Sequence, residues 1–222
     1  NVLIKDKEDM TLTTRMEHHA NDLPFRRVAK MVYVEVDVLG RINIDDIEEE
    51  LIKANGKIKV VTITGASNVT GYITPIHDIA RLAHKYGAVI IVDGAQLIAH
   101  REVNLAGNSK DEEIDFLTFS AHKAYAPFGS GAIVGKKDYL NEEDPFLSGG
   151  GCVAGVFDER LIWTAVPEKY EAGTQNFFGA IAMAKALSDL KNIGFQNIEM
   201  HEKLLKDYII NSMKSIKNVI PI

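Results

Sequence analysis

The sequence predicts an α/β domain in which helices cover a mostly parallel central sheet. Two observations predict this fold. Strand-like and helix-like segments alternate through the middle of the chain, as they do in repeated strand–helix–strand units. Residues 88–92 are apolar without interruption, which is typical of a strand buried on both faces of a parallel sheet.

Strands are predicted where β-branched and apolar residues lie between turn residues. In chain order, the predicted strands cover residues 31–36, 59–64, 88–92, 114–119 and 131–135. The last of them is short and rich in glycine, whereas the others carry the large apolar side chains that a sheet core needs.

Helices are predicted from apolar residues at helical spacing and from residues that favour helix ends. The first is capped by Asp45 or Asp46 and ends at about residue 54. The second begins at Pro75, with Thr74 as its cap, and ends at residue 86. Two further helices are predicted at residues 177–190 and at about 197–213. His77 and His84 are expected on a solvated face of the second helix.

The composition excludes several classes of protein. The chain has 222 residues, 46% of them apolar, so it can bury a core and is not disordered. A net charge of −6 argues against a nucleic-acid partner, and no apolar run approaches the ~20 residues of a membrane span. The single cysteine, Cys152, excludes an internal disulfide and favours a reducing, cytoplasmic setting.

The chemistry is expected at one edge of the sheet, because ligands of open parallel sheets bind beyond the carboxyl ends of the strands. Three predicted strands are followed by polar loops, at residues 65–71, 93–96 and 120–123. Asp93 follows five apolar residues, so its carboxylate either pairs with a cation or caps the next turn. Lys123 either extends to solvent or acts as a desolvated amine that forms a Schiff base. The residues alone leave both alternatives open.

Five motifs in the sequence resemble, in content and order, those of the class V aminotransferase-like enzymes that use pyridoxal phosphate (PLP). The resemblance is closest to the cysteine desulfurase and selenocysteine lyase group. The motifs occupy residues 17–21, 67–71, 92–96, 119–123 and 171–176, and the resemblance extends from about residue 16 to the end of the chain. Each motif alone is weak, but five in the family's order are specific.

The resemblance implies the PLP-dependent transferase fold (fold type I) and assigns the catalytic roles. Lys123 would form the Schiff base with PLP and later move the α-proton of an amino-acid substrate. Asp93 would pair with the pyridine nitrogen and keep it protonated, so that the ring can accept electrons. His18 would stack on the ring and is a second candidate for proton transfer.

The resemblance also implies residues that hold the cofactor and the substrate. Gln96 would hydrogen-bond the phenolic oxygen of the ring, and Asn68 would bind that oxygen or the substrate carboxylate. Ser120 and His122 would hold the phosphate. Thr174 would contact the phosphate of a neighbouring subunit, which makes a homodimer part of the expectation.

The implied reaction removes sulfur from cysteine, or selenium from selenocysteine, and leaves alanine, with a sulfur-acceptor protein as a partner. Another class V reaction (an aminotransferase, epimerase or lyase) and a non-catalytic dimerising fragment remain as alternatives. The family's nucleophilic cysteine and its carboxylate-binding arginine lie in a C-terminal domain beyond this chain, and Cys152 is interpreted as an incidental thiol. Whether this stretch is active by itself therefore stays open.

The resemblance divides the chain into residues 1–190, a PLP-binding large domain without its N-terminal part, and 191–222, the start of a smaller C-terminal domain. The family fold would thus be truncated at both ends. The sequence differs from the family pattern at Ala121 and Ala126, where glycine is common, and at Gln175, where proline is common. No metal site is expected, because adjacent His18 and His19 point apart and no further ligand has metal-site spacing.

Overall fold

The computed structural model describes residues 3–219, and within them a six-stranded sheet forms the centre of the fold. Its strands in chain order are β1 (Met10–Thr14), β2 (Lys30–Val34), β3 (Ile58–Thr64), β4 (Val89–Asp93), β5 (Phe116–Ser120) and β6 (Gly131–Gly135). Their spatial order is β2-β1-β3-β4-β5-β6. The first five strands are parallel and β6 runs antiparallel to β5 at the edge, so the predicted mostly parallel sheet is confirmed.

Strand β1 was not predicted from the sequence. It reads MTLTT and lacks the apolar run that marks the neighbouring strands. Its threonines are nevertheless buried, and the Thr13 hydroxyl donates a hydrogen bond to the backbone oxygen of Thr62 on β3 at 2.9 Å. A hydroxyl with such an acceptor is compatible with burial, which allows a threonine-rich strand to lie in the middle of the sheet.

Five α-helices are described, of which four were predicted. They are α1 (Ile44–Ala54), α2 (Ile76–Lys85), α3 (Lys137–Glu142), α4 (Phe177–Ile193) and α5 (Phe195–Met213). Helices α4 and α5 are separated by one residue, Gly194, whose φ of 86° lies in the region that favours glycine. The predicted domain boundary falls next to this break, and the division into 1–190 and 191–222 stays a prediction.

Two predicted helix caps are wrong by one to three positions. Asn43 caps α1, since its side chain accepts a hydrogen bond from the Asp45 backbone N–H at 3.2 Å. Asp45 and Asp46 lie in the first turn, where the helix dipole favours negative charge. Helix α2 begins at Ile76, with Pro75 rather than Thr74 at the capping position.

The main core lies between the sheet and helices α1 and α2. Its largest fully buried side chains include Leu12, Ile47, Leu51, Ile63, Ile79 and Ile90. A hairpin that was not predicted, β7 (Val153–Phe157) with β8 (Arg160–Trp163), lies outside the main sheet. Within residues 3–219, no helix combines the length and the hydropathy needed to cross a bilayer.

His77 and His84 are half-buried, so their predicted solvated positions are wrong. The short turn Lys110–Glu112 lies against this face of α2, and each imidazole Nδ1 contacts a backbone oxygen of it at 2.8 Å. The Nε2 of His84 contacts the carboxylate of Asp115 at 2.8 Å. Both nitrogens of His84 thus face acceptors, which requires the doubly protonated imidazolium.

Asp115 connects helix α2 to two strands. It is 2% exposed, and it accepts hydrogen bonds from the Ile90 backbone N–H at 2.9 Å and from Lys136 Nζ at 2.7 Å, besides the contact with His84. Burial disfavours its ionisation, but these partners outweigh burial and hold its pKa below the usual range. The hydrogen bond to Asp115 in turn raises the pKa of His84 above its ordinary value.

Replacing His84 with Gln should destabilise the protein more at pH 5.5 than at pH 9. A raised folded-state pKa means that the imidazolium stabilises fully below the unfolded value of about 6.5, and that this contribution is lost as pH rises through the folded-state pKa. At pH 5.5, urea unfolding should show a loss of about 1–3 kcal/mol, the usual contribution of a hydrogen bond to a charged group. The exposed His201→Gln is the control, and an equal loss at both pH values would contradict the prediction.

Candidate active site

The carboxyl ends of four adjacent parallel strands meet at one edge of the sheet, because β1, β3, β4 and β5 lie side by side. Seven of the eight predicted site residues lie at or after these ends: His18 after β1, Asn68 after β3, Asp93 and Gln96 at and after β4, and Ser120, His122 and Lys123 at and after β5. The topology therefore brings these seven to the same edge, where sheets of this kind bind ligands.

Asp93 is the last residue of β4 and lies opposite Thr64 in the register of the sheet. Its side chain is buried, and one carboxylate oxygen accepts a hydrogen bond from the Ala95 backbone N–H at 2.9 Å. Among the described residues, its other oxygen has no hydrogen-bond partner. The carboxylate thus caps the next turn, which is one of the two alternatives that the sequence left open. Its second oxygen is still available to a ligand.

Gly65 allows the turn after Asp93 to pack closely on β3. A Cβ at Gly65 would come within 2.7 Å of the Leu97 side chain, which is buried. The Gly65 backbone N–H also donates to the Asp93 backbone oxygen at 2.8 Å. Because this packing and hydrogen bond fix the turn, Gln96 is held next to the end of β4.

Lys123 lies in a short 3₁₀ turn, Ala121–Ala124, that directly follows β5. The backbone N–H of Ala126 donates to the Ala121 oxygen at 3.0 Å, and Tyr125 adopts a left-handed φ of 66° as the turn ends. Ala121 and Ala124 are fully buried, while the Lys123 side chain is half-buried. The alanine at position 121, a departure from the family pattern, therefore anchors the turn.

A small apolar cluster fixes the Lys123 turn to the Asp93 segment. It consists of Ala99, Ala124 and Leu190, which come from the Asp93 segment, the lysine turn and helix α4. Two hydrogen bonds add to this attachment: Ser130 Oγ donates to the Gly179 backbone oxygen at 2.9 Å, and Asn176 Nδ2 donates to the Phe128 oxygen at 2.6 Å. Helix α4 thus supports two of the loops that carry site residues.

His18 begins the short turn that follows β1. Its Nδ1 accepts a hydrogen bond from the Ala20 backbone N–H at 3.1 Å, so in the neutral ring the proton is on Nε2. The side chain is exposed at the edge of the sheet. Its neighbour Glu17 is half-buried, and its carboxyl group accepts hydrogen bonds from two side chains.

Glu17 is the first residue of the motif at 17–21, and no role was predicted for it. Burial raises the pKa of its carboxyl, and the nearby negative charge of Asp93 adds to this effect, while hydrogen bonds from Thr14 and Asn21 oppose it. No signal in the sequence marked it, because strand β1, which Glu17 follows by three residues, was itself not predicted.

Several polar side chains at this edge are free to bind a ligand. Among residues 3–219, no hydrogen bond is made by the side chains of Asn68, Gln96, Ser120, His122 and Lys123. Together with the free oxygen of Asp93, they offer an amine, a carboxylate, two amides, a hydroxyl and an imidazole. This donor set fits PLP, which presents an aldehyde, a pyridine nitrogen, a phenolic oxygen and a phosphate.

Thr174 is the one predicted site residue that does not follow a strand of the six-stranded sheet. It lies exposed in the loop before α4, where the Gly173 backbone N–H donates to the Gly150 oxygen at 2.7 Å. Its expected contact is with a neighbouring subunit, so its role stays a prediction.

Cys152 is a buried thiol in a glycine-rich loop. It is 0% exposed, and its Sγ accepts from the Gly149 backbone N–H at 3.2 Å and donates to the Gly149 oxygen at 2.9 Å. Both contacts are local, so the thiol closes its own loop. Across residues 3–219, no group of three or more His, Cys, Asp or Glu side chains has the arrangement of a metal site.

A cleft of about 640 Å³ separates α5 from the loop that carries Asn68. Gly71 lies on one side of it and Lys203 on the other. Arg101 also borders the cleft and is ion-paired with Glu202 at 2.7 Å, while His100 contacts the same carboxylate. Helix α5 is thereby attached to the segment that begins at Asp93.

The chain is similar in sequence and in structure to known proteins. A family model described as aminotransferase class-V matches residues 2–221 of the chain. A probable cysteine desulfurase of Halalkalibacterium halodurans is 35% identical over 218 residues, which are 95% of this chain and 52% of that protein. A cysteine desulfurase of Haloferax volcanii is 34% identical over 216 residues, which are 95% of this chain and 49% of that protein.

The same fold occurs in the apo structure of a cysteine desulfurase from Thermococcus onnurineus NA1. That structure aligns with a TM-score of 0.86 and 30% identity over 98% of this chain and 56% of its own. The chain spans about half the length of the curated relatives it matches. Because the family model covers nearly all of its residues, the chain belongs to the class V aminotransferase family, whose members depend on PLP.

Proposed function

We propose that this protein is a PLP-dependent cysteine desulfurase, which removes the sulfur of cysteine and leaves alanine. The observation that carries the proposal is the set of unpaired polar side chains around Lys123 and Asp93 at one edge of the sheet. The similar proteins named cysteine desulfurases, at 34–35% identity, favour this reaction over other class V reactions.

The residues at the sheet edge would hold PLP in the following way. The free oxygen of Asp93 would accept a hydrogen bond from the pyridine nitrogen, and Gln96 would hydrogen-bond the phenolic oxygen. Ser120 and His122 would bind the phosphate, and Lys123 would supply the amine. When bound, PLP supplies an aldehyde that condenses with amines and a ring that withdraws electrons from the substrate.

Proton transfer and orientation of the substrate would be carried out by side chains of this protein. Lys123 Nζ would take the α-proton of cysteine and return a proton to the product. Asn68 would orient the substrate carboxylate, and the exposed ring of His18 would cover the cofactor face. The carboxylate of Asp93 would favour the protonated pyridine nitrogen by keeping a negative charge next to it.

The sulfur would leave to a thiol of an acceptor. Cysteine and the acceptor thiol together give alanine and an acceptor persulfide, so atoms and electrons balance without a further reactant. Cys152 is not suited to this step, because its Sγ is buried and hydrogen-bonded within its own loop. We therefore propose that the thiol comes from elsewhere, including from a sulfur-acceptor protein. We also propose that the protein acts in the cytoplasm as a homodimer, in which Thr174 would contact the phosphate bound by the neighbouring subunit.

The labelling of Lys123 tests the proposal. The protein as its gene encodes it is incubated with PLP, reduced with borohydride and digested, and the modified peptide is identified by mass spectrometry. We expect a single pyridoxyl group on Lys123, together with alanine and sulfide when cysteine and a reductant are supplied. Labelling scattered over surface lysines would contradict the site, and transfer of the amino group to a 2-oxo acid would indicate an aminotransferase instead.

A further inference from the structure

A chain of hydrogen-bonded side chains lies behind the turn that carries His18. Glu17 accepts from the Thr14 hydroxyl at 2.6 Å through one carboxyl oxygen and from Asn21 Nδ2 at 2.7 Å through the other. Asn21 in turn accepts from the Thr62 hydroxyl at 2.7 Å through its Oδ1. The chain therefore links the end of β1, the turn and the middle of β3.

The residues that make these hydrogen bonds lie on both sides of His18 in the sequence. Glu17 precedes it directly, and the Asn21 backbone N–H donates to the His18 backbone oxygen at 2.8 Å. Asn21 is 5% exposed and Thr62 is fully buried, so this side of the turn is fixed inside the fold. His18 itself is exposed, and its direction depends on how firmly the residues around it are held.

We propose that Glu17 is a positioning residue that fixes the His18 turn against strands β1 and β3 at the edge of the candidate site. Within the part of the chain that the structure describes, its carboxyl group is the one side chain that joins Thr14 on the strand to Asn21 at the far end of the turn. The benefit to cofactor binding rests on the proposed function, whereas the fixing of the turn is a property of the chain alone. Glu17 contacts neither the reacting atoms nor the cofactor in this proposal.

The burial of Glu17 next to Asp93 supports this assignment. Burial and the charge of Asp93 raise the pKa of Glu17, so its charge is disfavoured where it lies. Its two carboxyl oxygens accept hydrogen bonds from one residue of β1 and one residue of the turn, which compensates for part of this burial. The geometry predicts that glutamine can take over the role, because its amide oxygen accepts from Asn21 while its amide N–H donates to the Thr14 hydroxyl.

The first test uses hydrogen–deuterium exchange of the protein without PLP, in the variants Glu17→Ala and Glu17→Gln. We expect Glu17→Ala to speed exchange of the amides at residues 18–23 by about tenfold, since the turn loses its link to β1. Glu17→Gln should restore the slow exchange. The control is Glu35→Ala, because Glu35 is an exposed glutamate at the end of the neighbouring strand β2.

The second test measures the affinity for PLP and the visible circular dichroism of the bound cofactor. Glu17→Ala should weaken PLP binding about tenfold and reduce the dichroic band, while Glu17→Gln stays close to wild type. If Glu17 acts through the turn, His18→Ala and Glu17→Ala should not be additive in the double variant.

The two tests separate the inference from the proposed function. If the wild-type protein binds no PLP, the proposed function fails, and the exchange of residues 18–23 still decides the role of Glu17. The inference is overturned if Glu17→Ala exchanges like the Glu35→Ala control. It is also overturned if Glu17→Gln behaves like Glu17→Ala. The negative charge of Glu17, rather than its hydrogen bonds with Thr14 and Asn21, would then hold the turn.

Discussion

Replacing Lys123 with Ala should abolish the covalent attachment of PLP and lower cysteine desulfuration by at least about 10³-fold, because in the proposed function one side chain would serve both as the attachment point and as the base. Lys123 is the lysine in the turn after β5, at the edge where Asp93 ends β4. The measurements are the borohydride-reduced peptide by mass spectrometry, the visible absorption of the bound cofactor, and alanine formation from cysteine.

The fold should be insensitive to the Lys123→Ala change. The Lys123 side chain makes no hydrogen bond within residues 3–219, and its turn already contains Ala121 and Ala124 as buried anchors. The melting temperature should therefore stay within about 2 °C of wild type, as for substitutions that remove no buried contact. Lys137→Ala, at an exposed lysine beyond β6, is the matched control and should keep full labelling. Normal turnover by Lys123→Ala would refute the assigned site.

The fold and the location of the site could be predicted because they depend on short-range patterns. Strands such as β4 are marked by continuous apolar residues, and parallel strands necessarily bring their carboxyl ends to one edge. Once Asp93 and Lys123 were placed directly after strands, their meeting at that edge followed from topology alone. The residues that anchor the two loops, such as Leu190 on α4, needed the tertiary structure.

Several of the features that were not predicted from the sequence involve buried polar groups whose partners lie far away in the chain. Strand β1 is threonine-rich, and the burial of Thr13 depends on Thr62, 49 residues later. His84 was expected in solvent, but it faces Asp115, 31 residues away. In each case the residue type favours exposure, and only the partner makes burial favourable.

Glu17 shows the same limit at the site itself. A glutamate next to two histidines has no periodicity that distinguishes it from a surface residue, and its proximity to Asp93 exists only once β1 and β4 are both placed beside β3. Thr174 illustrates a different limit, because its expected partner is a second subunit. No pattern within one chain can test that contact, so it remains a prediction.

Replacing Asp93 with Asn should lower kcat for cysteine by about 10²–10³-fold while leaving PLP attached to Lys123, in line with the loss of one preorganised electrostatic contact. Asparagine is isosteric, and its side-chain oxygen can keep the hydrogen bond that Asp93 accepts from the Ala95 backbone N–H. The turn should therefore be kept, and the substitution would remove only the negative charge that is proposed to lie next to the pyridine nitrogen. Without that charge the pyridine nitrogen of bound PLP would be less readily protonated, so the α-proton of the substrate would be removed more slowly.

The decisive measurement for Asp93→Asn compares three quantities in the same preparation. Labelling of Lys123 by borohydride and the melting temperature should match wild type, whereas exchange of the α-proton of cysteine with solvent deuterium should slow in parallel with kcat. Asp78→Asn, at an exposed aspartate in the first turn of α2, is the control and should leave all three unchanged. Since Asp93 both caps its turn and carries the charge, equal loss of labelling and turnover would show that its structural role dominates. A kcat within threefold of wild type would show that Asp93 does not pair with the ring.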